Sequence, residues 1–192
     1  MLATARASLE RSLQVQKEFM DSGLEQLVQA AELVGQAFTA GNKLLICGNG
    51  GSAADAQHLA AELLNRFVLE RPPLPAIALT TDSSILTSIA NDYYYEEIFA
   101  KQIKGLGAKG DVLLAISTSG RSGNILKGLA AAKNKGMATL GLTGSQAGEM
   151  EPLCDVLVQA PSQETPRIQE VHGLVIHLLC ELIDLKLFGR SS

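Results

Sequence analysis

Lys43-Leu-Leu-Ile-Cys-Gly-Asn-Gly-Gly-Ser52-Ala-Ala-Asp-Ala-Gln-His58-Leu-Ala-Ala-Glu62 is an apolar strand that runs into a glycine turn, and the turn opens a helix. A strand, a glycine turn and a helix start form an anion-binding device, because unpaired N–H groups and the positive end of the helix dipole converge on one spot. His58 and Glu62 are four residues apart, so they lie one above the other on a helix face and can address one bound molecule or metal ion. The combination points to a phosphate or sugar held beside acid/base chemistry.

Outward from this segment the chain alternates. Four more apolar runs have strand length: Pro75–Leu79, Asp111–Ser117, Met137–Thr143 and Asp155–Gln159. Helical patterns separate most of them, which predicts a five-stranded parallel sheet covered on both faces, a doubly wound α/β fold with ligands at the carboxyl ends of the strands. Before the first strand, residues 5–19 and 23–39 read as two amphipathic helices separated by Asp21-Ser-Gly23. The last helix is read from Thr165-Pro166, a capping residue followed by proline, to about Phe188. It is apolar over most of its circumference. One domain over 1–192 is expected, with N-terminal helices in 1–40, an α/β core in 41–160 and the C-terminal helix in 165–188. The apolar surface of the terminal helices exceeds what one sheet face covers, so a helical layer shared between subunits is also expected.

Composition bounds the class. The 192 residues are 46% hydrophobic and 19% charged, as in an ordinary globular domain, and the net charge of −4 leaves no basic footprint for nucleic acid. The first residues carry charges where a signal peptide needs an apolar core, and no run has transmembrane length, so no membrane partner is expected. Cys47, Cys154 and Cys180 match no metal or redox spacing, and a reducing cytoplasmic compartment is the simplest reading.

Gly48-Asn-Gly50-Gly-Ser-Ala53 also satisfies a relaxed dinucleotide fingerprint, but that motif wants an acid about 20 positions on. The nearest suitable one, Asp82, lies more than thirty positions past Gly48. No nucleotide cofactor is expected. A second turn, Ser117-Thr-Ser-Gly-Arg-Ser122, follows the third strand and precedes a helix. Ser and Thr often only cap helices, yet one hydroxyl suffices for a cap, and four in six residues favour phosphate binding. Arg121 is open between a charge contact and a solvated residue. Asn91-Asp92 is equally a sugar-binding pair or a helix end, and Tyr93–Tyr95 are equally packing, interface or ligand residues. On the last helix Gln169 and His177 fall about 80° apart, on one side. His177 lies opposite the apolar stripe, whereas His172 falls within it, about 140° from His177, and is read as a packing or interface histidine.

Cys47-Gly-Asn-Gly-Gly-Ser52, His58-x-x-x-Glu62, Asn91-Asp92, Ser117-Thr-Ser-Gly-x-Ser122 and Arg167-Ile-Gln169 with His177, taken in this order, resemble the sugar isomerase (SIS) domain family, and within it the phosphoheptose isomerases. The resemblance covers nearly the whole chain. It implies a flavodoxin-like sheet, a homotetramer, and conversion of sedoheptulose 7-phosphate to D-glycero-D-manno-heptose 7-phosphate for the heptose of bacterial cell-surface glycans. The family's acid/base positions fall on Glu62 and His177, and its zinc positions on His58, Glu62, Gln169 and His177. Its substrate contacts fall on Asn49, Gly50, Gly51, Glu62, Asn91, Asp92, Ser117, Thr118, Ser119, Ser122 and Gln169. A related non-catalytic protein, which associates with the bacterial replication initiator, shares stretches such as Arg71–Leu79 and Arg167-Ile-Gln169-Glu. It lacks the acid and histidine that stand here at Glu62 and His177. Two alternatives accompany the isomerase reading: such a binding module, and an isomerase of another phosphosugar.

Overall fold

The apolar runs become β1 (Leu44–Gly48), β2 (Ala76–Ala78), β3 (Val112–Ile116), β4 (Ala138–Thr143) and β5 (Val156–Gln159). The computed structural model describes residues 1–189 and joins the strands in one parallel sheet of order β2-β1-β3-β4-β5. Leu44 pairs with Ala76 on one side and Val112 on the other, and Gly48 pairs with Ile116. Besides two short 3₁₀ helices, Tyr95–Glu97 and Gly148–Leu153, the described residues form seven α-helices: α1 (Leu2–Ser22), α2 (Leu24–Thr39), α3 (Gly51–Leu64), α4 (Ser83–Asp92), α5 (Ile98–Leu106), α6 (Gly123–Asn134) and α7 (Thr165–Phe188).

All of β1 and β3 is buried, which is why neither strand alternates with polar residues. The pleat still divides them. Leu44 and Ile46 join a core with Leu27 and Val34 of α2, Leu59 and Leu63 of α3, and Val171, Val175, Leu179 and Ile183 of α7. Leu45 and Cys47 join the opposite core with Phe99 and Ile103 of α5 and Ile125 and Leu129 of α6. Each such aliphatic side chain, fully buried, contributes about 1.5–3 kcal/mol relative to exposure. The apolar pattern therefore places α3 and α7 side by side on one face.

The predicted boundaries shift at several ends: α1 begins at Leu2 rather than at residue 5, and β2 keeps only Ala76–Ala78 of the predicted Pro75–Leu79. α1 continues through Asp21 and Ser22, so Gly23 alone divides it from α2; Phe19 folds over that glycine, where any Cβ would overlap its ring. Thr165 is the first residue of α7 rather than its cap, and Glu164 flanks the helix without a side-chain bond to it. The chain leaves β1 toward β2 and leaves β3 toward β4, in opposite directions. The crevice between the β1 and β3 ends is thus the point where an open α/β sheet takes its ligands.

Candidate functional site

Both turns predicted to hold ligands lie at that crevice. After β1, Gly50 takes φ +56°, a left-handed conformation that glycine adopts without strain, and α3 begins at Gly51. Gly48 is required for closeness: a Cβ there would overlap the Ser52 backbone carbonyl. A Cβ on Gly51 would overlap Gln169 Nε2, so the Gln169 amide of α7 lies directly over the start of α3.

Down the same face of α3 stand Asp55, His58 and Glu62. His58 Nε2 is 3.2 Å from Glu62 Oε1 and 3.4 Å from His177 Nε2 of α7. The two imidazoles meet edge to face at 5.1 Å between centroids, and the Phe67 ring lies against His177 at 5.3 Å. His58 and Glu62 thereby meet His177, more than a hundred positions away in the sequence, with His58 and His177 exposed and Glu62 half-buried, while the half-buried Gln169 lies over the start of α3. Glu62 and His177, a carboxylate and an imidazole, both reach the same His58 nitrogen, and each is open enough to meet a ligand. Asp55, three residues before His58, has a buried carboxylate oxygen without a partner; burial pushes its pKa up, and nearby His58 opposes the shift. His172 is fully buried with Nε2 3.2 Å from the Thr143 carbonyl oxygen, as a packing histidine should be.

After β3, Ser117 is buried, Thr118 and Ser122 are half-buried, and Ser119 is exposed. Ser122 is the flanking residue of α6, yet its hydroxyl makes no capping bond and instead faces Ser117 Oγ at 3.3 Å. Ser119 Oγ accepts from the Arg121 backbone N–H at 3.3 Å. Capping therefore does not account for these hydroxyls. Gly120 needs its left-handed φ of +63° and the absence of Cβ, since one would overlap the Ala147 carbonyl. Arg121 is exposed, and Thr118, Ser119 and Arg121 line a cavity with Gln146, Ser162 and Gln163.

Asn49 links the two turns. Its side chain exchanges two hydrogen bonds with Asn124 at the start of α6: Asn49 Nδ2 donates at 2.9 Å and Asn124 Nδ2 donates back at 2.8 Å. The Tyr95 hydroxyl also donates to Asn49 Oδ1, at 3.1 Å. Asn91 and Asp92 form the exposed last turn of α4, where Asn91 Nδ2 donates to Asp92 Oδ1, and among the described residues neither bonds another candidate. Asp82, the acid weighed for a dinucleotide, caps α4 by accepting from Ile85 N–H at 2.9 Å.

Asn124, Tyr95, Phe67 and Asp55 were not singled out as site residues from the sequence. Asp55 was legible in principle, because Gly51, Asp55, His58 and Glu62 follow the four-three-four spacing of one helix face. Tyr95 stood in a tyrosine run that offered no choice among its members. Asn124 and Phe67 have no motif of their own, and only the packing reveals them.

The chain is similar to known proteins over most of its length. The SIS domain profile matches residues 9–144. The phosphoheptose isomerase of Maridesulfovibrio salexigens is 56% identical over 184 residues, covering 96% of this chain and 88% of that one. Among solved structures, the phosphoheptose isomerase of Neisseria gonorrhoeae superposes with a TM-score of 0.91 at 44% identity, over 95% of this chain and 98% of that one. That of Francisella tularensis gives 0.92 at 40%, over 95% and 97%.

Proposed function

The chain belongs to the SIS-domain family, among the phosphoheptose isomerases, and on that premise we infer that it converts sedoheptulose 7-phosphate to D-glycero-D-manno-heptose 7-phosphate. The observation that carries the reading is the meeting of Glu62 and His177 at His58, on the helix that opens from the β1 turn. Aldose–ketose isomerisation moves a proton from C1 to C2 through an ene-diol, and a second proton between the two oxygens. It needs one group over the carbons and another at the oxygens. Glu62 exchanges the carbon-bound proton and His177 the oxygen-bound one. The hydroxyls of Ser117, Thr118, Ser119 and Ser122, with the N–H groups opening α6, hold the phosphate. Asn49, Gly50, Gly51 and Gln169 position the reacting end, and Asn91 and Asp92 contact the sugar hydroxyls. The non-catalytic alternative gains no support from the relatives, which carry the isomerase name.

Zinc is the metal these residues suit. The donors are two imidazoles, a carboxylate and the Gln169 amide. Glu62 Oε1 and His177 Nε2 lie 3.2 and 3.4 Å from His58 Nε2, near the about 3.3 Å between neighbouring donors on a tetrahedral zinc, though among the described residues no three His, Cys, Asp or Glu groups form a closed cluster. When bound, the ion would polarise the substrate carbonyl and stabilise the enediolate. The metal would register as about one zinc per subunit in elemental analysis, lost in a His58→Ala variant.

The remaining features are a homotetramer built through the terminal helices, and a cytoplasmic location, which the unbridged cysteines suit. The direct test is incubation of purified protein with sedoheptulose 7-phosphate, following the aldose phosphate. Protein inactive on it but active on another phosphosugar would reassign the substrate. Inactivity on all of them, with and without zinc, would remove the isomerase reading.

A further inference from the structure

Among the described residues, the charged group outside the site with the most hydrogen bonds is Arg71. Its guanidinium is buried and donates from Nε to Asp184 Oδ1 at 2.6 Å, from Nη1 to the Leu63 carbonyl at 2.8 Å, and from Nη2 to the Glu62 carbonyl at 3.0 Å. A further bond from Nη1 to the Pro72 carbonyl, at 3.2 Å, folds the segment back on itself. The Leu63 carbonyl also accepts from Leu74 N–H at 3.0 Å, so the chain between α3 and β2 closes as a loop on the end of α3.

Three of these partners, Glu62, Leu63 and Asp184, belong to the two helices that carry the candidate reacting groups. The carbonyls of Glu62 and Leu63 are among those a helix leaves unpaired at its C-terminus, and one of them belongs to Glu62 itself. Asp184 lies seven residues beyond His177, so the two stand about 20° apart around α7, separated by two turns. The loop that Arg71 closes also carries Phe67, whose ring rests on His177. One guanidinium therefore grips the Glu62 end of α3, the His177 side of α7 and the loop packed on the imidazole.

Resting on the isomerase reading above, we propose that Arg71 and Asp184 are positioning residues that hold Glu62 and His177 in register. Stability alone is a weak reason for the pair, because replacing a buried ion pair with apolar side chains is often neutral or stabilising. Its planar fork supplies instead a fixed geometry among three partners that a point charge on a flexible stem does not reproduce. A displacement of about 1 Å at reacting groups can cost about 10²-fold in rate, even from a remote change.

The experiment compares Arg71→Lys, Asp184→Asn and Asp184→Glu with the wild type, well below each melting temperature. The protein has three histidines, which makes imidazole NMR of labelled protein a second readout independent of activity. Arg71→Lys and Asp184→Asn are expected to lower kcat by about 10–10²-fold with KM for the phosphosugar within twofold, and to move the His177 ring signals while those of His172 stay. Asp184→Glu, which keeps the carboxylate, is expected to recover most of kcat. Folded variants with lowered melting temperature but wild-type kcat and unmoved His177 signals would overturn the proposal. If these single variants do not fold, the apolar double variant Arg71→Met/Asp184→Leu, which leaves no buried charge unpaired, takes their place, and normal kcat with unmoved His177 signals in it would overturn the proposal equally. Wild-type protein without isomerase activity would remove the functional reading; the positioning role would then stand or fall on the His177 signals alone.

Discussion

At the scale of single residues, the proposed acid/base pair Glu62 and His177 gives the isomerase reading its sharpest test. Proton transfer by a positioned side chain typically contributes about 10²–10⁴-fold. Glu62→Gln and His177→Gln should each lose at least about 10²-fold in kcat while remaining folded. Groups acting as a unit are non-additive, so the double variant should be little worse than the poorer single one. Near-normal turnover in both folded single variants would exclude the assignment. A second residue tests the contact between α3 and α7. A Cβ at Gly51 would press on the Gln169 amide, the movable end of a side chain, rather than on backbone. Gly51→Ala should therefore unfold at nearly the wild-type denaturant concentration yet lose activity, and an equal loss of stability and activity would contradict it. The juxtaposition at this scale was legible in part, because His58 and Glu62 are a helical turn apart and helix geometry puts Gln169 and His177 on one side of α7. Asn124 and Phe67 were not legible: they act through contacts with Asn49 and His177, 75 and 110 positions away in the chain, and no local spacing encodes such a contact.

At the scale of elements, α7 combines a wet edge with a dry one. His177 faces outward and His172 inward, where burial lowers the latter's pKa to about 4 from 6.5, against the opposing bond to the Thr143 carbonyl. The unfolded chain then takes up this proton before the folded one does. The stability held by the neutral ring is complete above about pH 6.5 and is lost as the pH falls to about 4, by about 3 kcal/mol. Urea midpoints should fall more steeply between pH 7 and 4.5 for the wild type than for His172→Gln, and parallel curves would refute the account. The elements themselves could be read because continuous apolar runs mark buried parallel strands and glycine turns mark their exits. Their ends were less legible. Phe19 extends α1 past Asp21 by packing on Gly23, a choice made by a neighbour rather than by helix propensity.

At the scale of the whole molecule, the terminal helices leave apolar side chains uncovered. Leu9, Leu13 and Met20 of α1, Leu24 and Val28 of α2 and Leu185 of α7 are all exposed, although α2 and α7 bury their other faces in the sheet core. Closed symmetric association is the usual way to cover such a surface. Light scattering at micromolar concentration should give four times the chain mass, and a monomer would rule this out. Strand order could be narrowed from sequence only to a doubly wound sheet, since the order depends on crossovers that no residue specifies by itself.

The distance along the chain between the partners of the site has a kinetic meaning. His58 and His177 are 119 positions apart, and Arg71 and Asp184 are 113 apart. Closing such long loops is entropically unfavourable until the contacts they bring together are made, and chains rich in distant contacts fold slowly. Helices α3 and α7 can each coil early, but the site exists only after every strand lying between them in sequence has taken its place. After dilution from denaturant, the far-ultraviolet helical signal should recover first and turnover should return later, even with saturating substrate and zinc present.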